Sequence, residues 1–116
     1  MKLIACLSSG KGTWGQVSRI IQEGTWDDVI LITNDFGKEK FTLNKGEMIV
    51  INNRQGVKEL RDDIQTKLKD KLNDTEVAVN FISGDGTEHM ALMAALLKSG
   101  VGVRLFALTS DGVKEL

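Results

Sequence analysis

One cysteine and one histidine are all that this 116-residue chain offers to soft-metal chemistry. Paired-cysteine and clustered-histidine sites are therefore not expected, and no metal or cofactor is assigned. The lone cysteine, Cys6, has no partner for an intrachain disulfide and fits a reducing, cytoplasmic setting. No charge sign dominates either: fifteen Lys and Arg face sixteen Asp and Glu, for a net charge of −1. Without a global positive field, binding to DNA or a membrane surface is not expected, and an anionic ligand must be held locally. Long hydrophobic runs are also missing. Residues 3–7 are too short for the core of a secretory signal, and residues 90–97 fall far short of a membrane span. There is no proline, no internal repeat and no low-complexity segment. What is present is an ordinary balance, 41% hydrophobic and 27% charged, which suits one folded domain (residues 1–116) with one core.

The apolar residues alternate between two periods. Residues 3–7, 28–33, 47–51, 76–82 and 102–108 are short apolar runs that suit strands buried on both faces. Between them, Trp14, Val17, Ile20 and Ile21 recur at helical spacing, and so do Val57, Leu60, Ile64, Leu68 and Leu72. A further helix is expected over residues 88–99, closed by Gly100. The stretch 34–46 fits either a crossover helix near residues 38–43 or a hairpin using residues 41–43. The helix is preferred, because a parallel crossover needs about a dozen residues. The last eight residues read as a polar-leaning tail. Alternating strands and helices predict an α/β, Rossmann-like doubly wound sheet of five mainly parallel strands, with helices on both faces. The expected strand order is 3-2-1-4-5.

That order reverses direction between the first and fourth strands, and ligands of such sheets bind beyond the carboxyl ends at that point. Two loops are predicted to meet there. "SSGKGT" supplies Ser8, Ser9, Gly10, Lys11, Gly12 and Thr13, and its amides, helix start and lysine suit an anion. It lacks the spacing of a Walker A loop, and the plainer reading is a strand-to-helix turn capped by Ser or Thr. "SGDGT" supplies Ser83, Gly84, Asp85, Gly86 and Thr87, with Asp85 or Thr87 as the candidate cap. His89 stands where a dinucleotide fingerprint would need its third glycine. It sits close enough to the crevice to act as acid, base or donor, or else is a structural histidine. Asn34 and Asp35 end the second strand on the same rim, as ligand contacts or as an Asx turn. Trp14 suits packing or stacking, Cys6 suits the core, and no Ser-His-Asp order can be argued.

In "MALMAALLKSG" the stripe Met90, Met93, Ala94 and Leu97 is expected to cover the sheet, with Leu92 and Leu96 pointing elsewhere. A helix apolar on two faces in a small domain suggests a second copy of the chain. Burial under the C-terminal residues is the alternative.

These segments, "IACLSSGKGTWGQVSRII", "DVILIT" and "VNFISGDGTEHMALMAALLKSGVGVRLFAL", resemble CARF domains, the CRISPR-associated Rossmann-fold sensors of cyclic oligoadenylate messengers in antiviral defence. The resemblance spans nearly the whole chain through loose motifs, and the basic residue common after the fourth strand in that family is absent from "SGDGTEH". It implies a two-fold homodimer holding the ring messenger across its axis, over both loops. With no effector domain after Leu116, it implies a stand-alone sensor, a sequestering protein or a metal-independent ring nuclease. In the last case a ribose 2′-hydroxyl attacks its neighbouring phosphate, and Lys11, Ser9 and His89 assist. "SGDGT" is also one residue from the "GGDGT" loop of NAD kinases, lipid kinases and phosphofructokinases, so a nucleotide-phosphate-binding, kinase-like module is an alternative. A ligand-free interaction subunit is another.

Overall fold

The computed structural model describes residues 1–8 and 11–116, with Lys11 described in its backbone only. Expectations for Ser9, Gly10 and the Lys11 side chain lie outside the described residues. Strand β1 (Lys2–Leu7) lies at the centre of the sheet with no exposed apolar face. Leu3, Ala5 and Leu7 enter one cluster with Val29 and Leu31 of β2 (Val29–Thr33), under Trp14, Val17 and Ile20 of α1 (Trp14–Glu23). Ile4 and Cys6 enter the opposite cluster with Val77 and Val79 of β4 (Glu76–Asn80). That cluster is covered by Leu60, Ile64 and Leu68 of α3 (Val57–Leu68) and by Leu92 and Leu96 of α4 (Gly86–Lys98). Both faces are thus buried, which is why the strand sequence is apolar at successive rather than alternate positions.

β1 pairs in parallel with β2 on one side and β4 on the other; Leu3 faces Val29 and Ala78. β3 (Glu47–Val50) extends the first side and β5 (Gly102–Thr109) the second, also in parallel. The expected order 3-2-1-4-5 is present, but a sixth strand follows it, making a mixed sheet in the order 3-2-1-4-5-6. This strand, β6 (Gly112–Glu115), replaces the expected tail and runs antiparallel to β5. Gly112, at φ +102°, closes a two-residue turn with Thr109, a conformation glycine adopts without a Cβ penalty. Thr109 Oγ1 donates to the Gly112 carbonyl at 2.8 Å, and Arg104 Nε donates to Glu115 at 2.9 Å across the hairpin.

Three further features differ from expectation. Helix α2 is Asp35–Lys40, earlier than residues 38–43, because the Asn34 side chain accepts from the Gly37 amide at 2.9 Å and starts the helix there. Residues 41–43 form no strand. β4 stops at Asn80, whose side-chain oxygen takes the Ile82 amide while its Nδ2 donates to the Phe106 carbonyl. The face of α4 is the reverse of the one expected. Ala91, Leu92, Ala95 and Leu96 are buried, whereas Met90 and Leu97 are 65% and 64% exposed, and Met93 and Ala94 lie half-buried between them. Among the described residues no helix is long and apolar enough to cross a membrane.

Candidate functional site

The carboxyl ends of β1 and β4 are adjacent, so the loops that follow them share one rim of the sheet. Ser8, the first residue past β1, is 4% exposed and ties the two loops together. Its amide donates to Ser83 Oγ at 3.3 Å and its hydroxyl to Glu88 Oε1 at 2.6 Å. Its carbonyl accepts from the Trp14 indole at 3.1 Å. Trp14 is therefore a packing residue that anchors the first loop, with Phe36 and Phe41 against its rings.

The second loop is built around a capping box. Asp85 is the N-cap of α4; its carboxylate accepts from the Glu88 amide at 2.8 Å, and Glu88 Oε1 accepts from the Asp85 amide at 3.0 Å. Gly84 holds φ +101°, and a Cβ there would stand 3.1 Å from His89 Nε2 and 3.3 Å from Glu88 Oε1. The loop thus needs glycine at Gly84 for both backbone and space. Gly86 and Thr87 are exposed in the first turn of the helix.

Glu88 was not anticipated as a site residue. It is 1% exposed; Oε1 takes two hydrogen bonds, while Oε2 is buried and has no partner among the described residues. Its signal was the spacing of Asp85 and Glu88 in "DGTE", an acidic form of the capping-box pattern. The carboxylate bears on its surroundings: burial first, then Glu88 and Asp85, hold the Cys6 thiol far above its ordinary range. Cys6 is a core residue, as expected.

His89 places Nε2 2.8 Å from the Ser83 carbonyl. A carbonyl only accepts, so Nε2 carries a proton and donates, leaving Nδ1 for any other task. Its ring also packs near Phe81, at 4.9 Å between centroids. The imidazole is engaged in holding its own loop.

On the first loop, Thr13 is the N-cap of α1, but its side chain does not cap the helix, and Gly12 is exposed. The α4 end carries two carboxylates and the α1 end carries none in its first turn. The crevice is therefore electrostatically one-sided, and phosphate is better accommodated on the α1 side.

Asn34 is half-buried and spent on its cap, as an Asx-type contact. Next to it the rim opens into a cavity of about 660 Å³, bounded by residues 34–36 and 50–54. Asp35, Phe36 and Arg54 are exposed on its walls. The loop after β3, "NNRQG", was overlooked because it holds no glycine-rich or catalytic pattern, though it lies on the same rim. Among the described residues, no group of three or more His, Cys, Asp or Glu is placed to hold a metal ion.

No protein-family model matches the chain, and no curated protein matches it.

Proposed function

We propose that the chain is a CARF-like homodimeric domain that binds a cyclic oligoadenylate over the rim where the loops after β1 and β4 meet. The observation that carries this reading is the juxtaposition of those loops at the reversal of strand order, stitched by Ser8 to Ser83 and Glu88. The apolar stripe Met90, Met93, Ala94 and Leu97, turned away from the core, supports a two-fold partner through α4. On this reading the labour divides. Phosphates of the ring lie over residues 8–13, where Lys11, Gly12 and Thr13 serve them; hydroxyls and base edges lie over Ser83, Gly84, Asp85, Gly86 and Thr87, where acceptors predominate.

As a ring nuclease the domain would position a ribose 2′-oxygen in line with the adjacent phosphorus. The new P–O2′ bond forms as the P–O5′ bond breaks, giving a 2′,3′-cyclic phosphate and a 5′-hydroxyl. Lys11 and loop amides stabilise the developing charge. His89 contributes only through Nδ1, since its other nitrogen is held by Ser83.

Native mass spectrometry with cyclic tetra-adenylate tests the reading. One ring per dimer is the expected stoichiometry, and no binding at micromolar concentration overturns it. If the ring binds, metal-free incubation tests cleavage, and Lys11→Ala should slow it about tenfold or more. The kinase-like alternative is separated by ATP-dependent phosphorylation of a substrate that Asp85→Ala abolishes.

A further inference from the structure

The cavity beside α2 is separate chemistry on the same rim. Val50 and the buried Ile51 give it an apolar floor, and Phe36, half exposed with its ring against Trp14, gives it an aromatic wall. Three polar groups that line the cavity are unengaged. Arg54 uses only its backbone amide, which donates to Asn52 Oδ1 at 3.0 Å. Among the described residues its guanidinium has no hydrogen bond or ion pair, and neither the Asp35 carboxylate nor the Asn53 amide has a partner. The cavity thus offers one flat aromatic surface, one fork-shaped cation, one acceptor pair and one amide.

We propose that this cavity is a subsite for an adenosine 5′-monophosphate unit with a free vicinal diol. Phe36 stacks on the base, the Asn53 amide offers the donor and acceptor that adenine's edge matches, and Asp35 accepts from both ribose hydroxyls. The Arg54 guanidinium takes the terminal phosphate bidentately. The volume of about 660 Å³ lies within the range of small-ligand sites. Nothing in this assignment depends on the loops at the β1–β4 crevice. It selects against a cyclic oligoadenylate, whose phosphates are all diesters and whose riboses keep no vicinal diol.

Titration calorimetry of the full chain with adenosine 5′-monophosphate, its 2′,3′-dideoxy analogue and cyclic tetra-adenylate tests it. Arg54→Ala should weaken the monophosphate about tenfold or more, because a charged hydrogen-bond pair is lost at an exposed position that the fold does not need. Asp35→Asn should weaken the monophosphate and leave the dideoxy analogue unchanged. Arg54→Ala should not alter binding of the ring. Failure of wild-type protein to bind the monophosphate at millimolar concentration overturns the proposal, as does equal binding by Arg54→Ala. Loss of ring binding in the same variant also overturns it, by making the cavity part of the ring's site. Because the ring is measured separately, the fate of the ring-binding reading is read from its own titration.

Discussion

Glu88 sits at the junction of everything the rim does, and its two oxygens are unequally treated. Glu88→Ala removes the acceptor for the Ser8 hydroxyl and for the Asp85 amide. The Ser8 hydroxyl is buried and left without that partner, a loss of about 1–3 kcal/mol, and breaking the reciprocal cap adds about 1 kcal/mol. Some of this is returned, because the partnerless Oε2 disappears with the side chain. A net destabilisation of about 2–3 kcal/mol is expected, which at about 4 °C per kcal/mol for a domain of this size lowers Tm by about 8–12 °C. Glu88→Gln should behave differently. Its amide oxygen can keep both hydrogen bonds, while its NH2 takes the place of the partnerless Oε2 as a buried donor, so a smaller loss of about 1–2 kcal/mol is expected. Reversible thermal unfolding followed by circular dichroism distinguishes the two. If Gln costs as much as Ala, the two hydrogen bonds to Oε1 do not carry the stability assigned to them, and the account of Glu88 given above is wrong.

Cys6, buried and held protonated, should react with thiol reagents only as fast as the protein unfolds; rapid labelling of the native protein would contradict its place in the core. Gly37→Ala should cost about 2 kcal/mol or more in denaturant titration, because the new Cβ would stand 1.9 Å from Thr33 Oγ1 and 3.1 Å from the Leu7 carbonyl. On the proposed two-fold reading, Met90→Glu with Leu97→Glu should turn a dimer into a folded monomer in sedimentation, since both side chains are exposed in the single chain; a dimer kept by the variant would place the partner face elsewhere. The Arg104 hydrogen bond holds the Glu115 carboxyl below its usual range. A lowered folded-state pKa gives stability that is present above the unfolded-state value and lost as pH falls through the folded-state value. The Leu116 amide, bonded to the Leu105 carbonyl, should therefore lose hydrogen-exchange protection, relative to the central strands, in acid.

The central strands and their order were legible because burial on both faces leaves unbroken apolar runs, and α1 and α3 because their stripes are single. α4 was misassigned in phase for the opposite reason: its residues are apolar on both sides, so periodicity alone does not say which side meets the sheet. The capping box would have settled it. Glu88 points inward from the cap, and Ala91, Leu92, Ala95 and Leu96 follow it at steps of three, four, seven and eight. β6 was missed because Lys114 and Glu115 dilute its apolar signal, although "DG" at residues 111–112 is a known hairpin mark. The early start of α2 turns on one hydrogen bond from Gly37 to Asn34, which competes in sequence with several equally plausible starts. At the rim, glycine and hydroxyl patterns drew notice to two loops, while Arg54 and Asn53 have no local pattern to announce them.

Leu7 and Ser8 are consecutive, yet they fasten opposite halves of the sheet. The Leu7 carbonyl accepts from Thr33 Oγ1 at 2.5 Å, on the β2 side, and Ser8 is held by Ser83 and Glu88 on the β4 side. The switch point is thus laced shut beyond the last ladder hydrogen bond rather than left as a hinge. Prising it apart would break these three bonds, at about 1 kcal/mol each. Under the proposed reading, a ring lying over this seam meets a jaw already set.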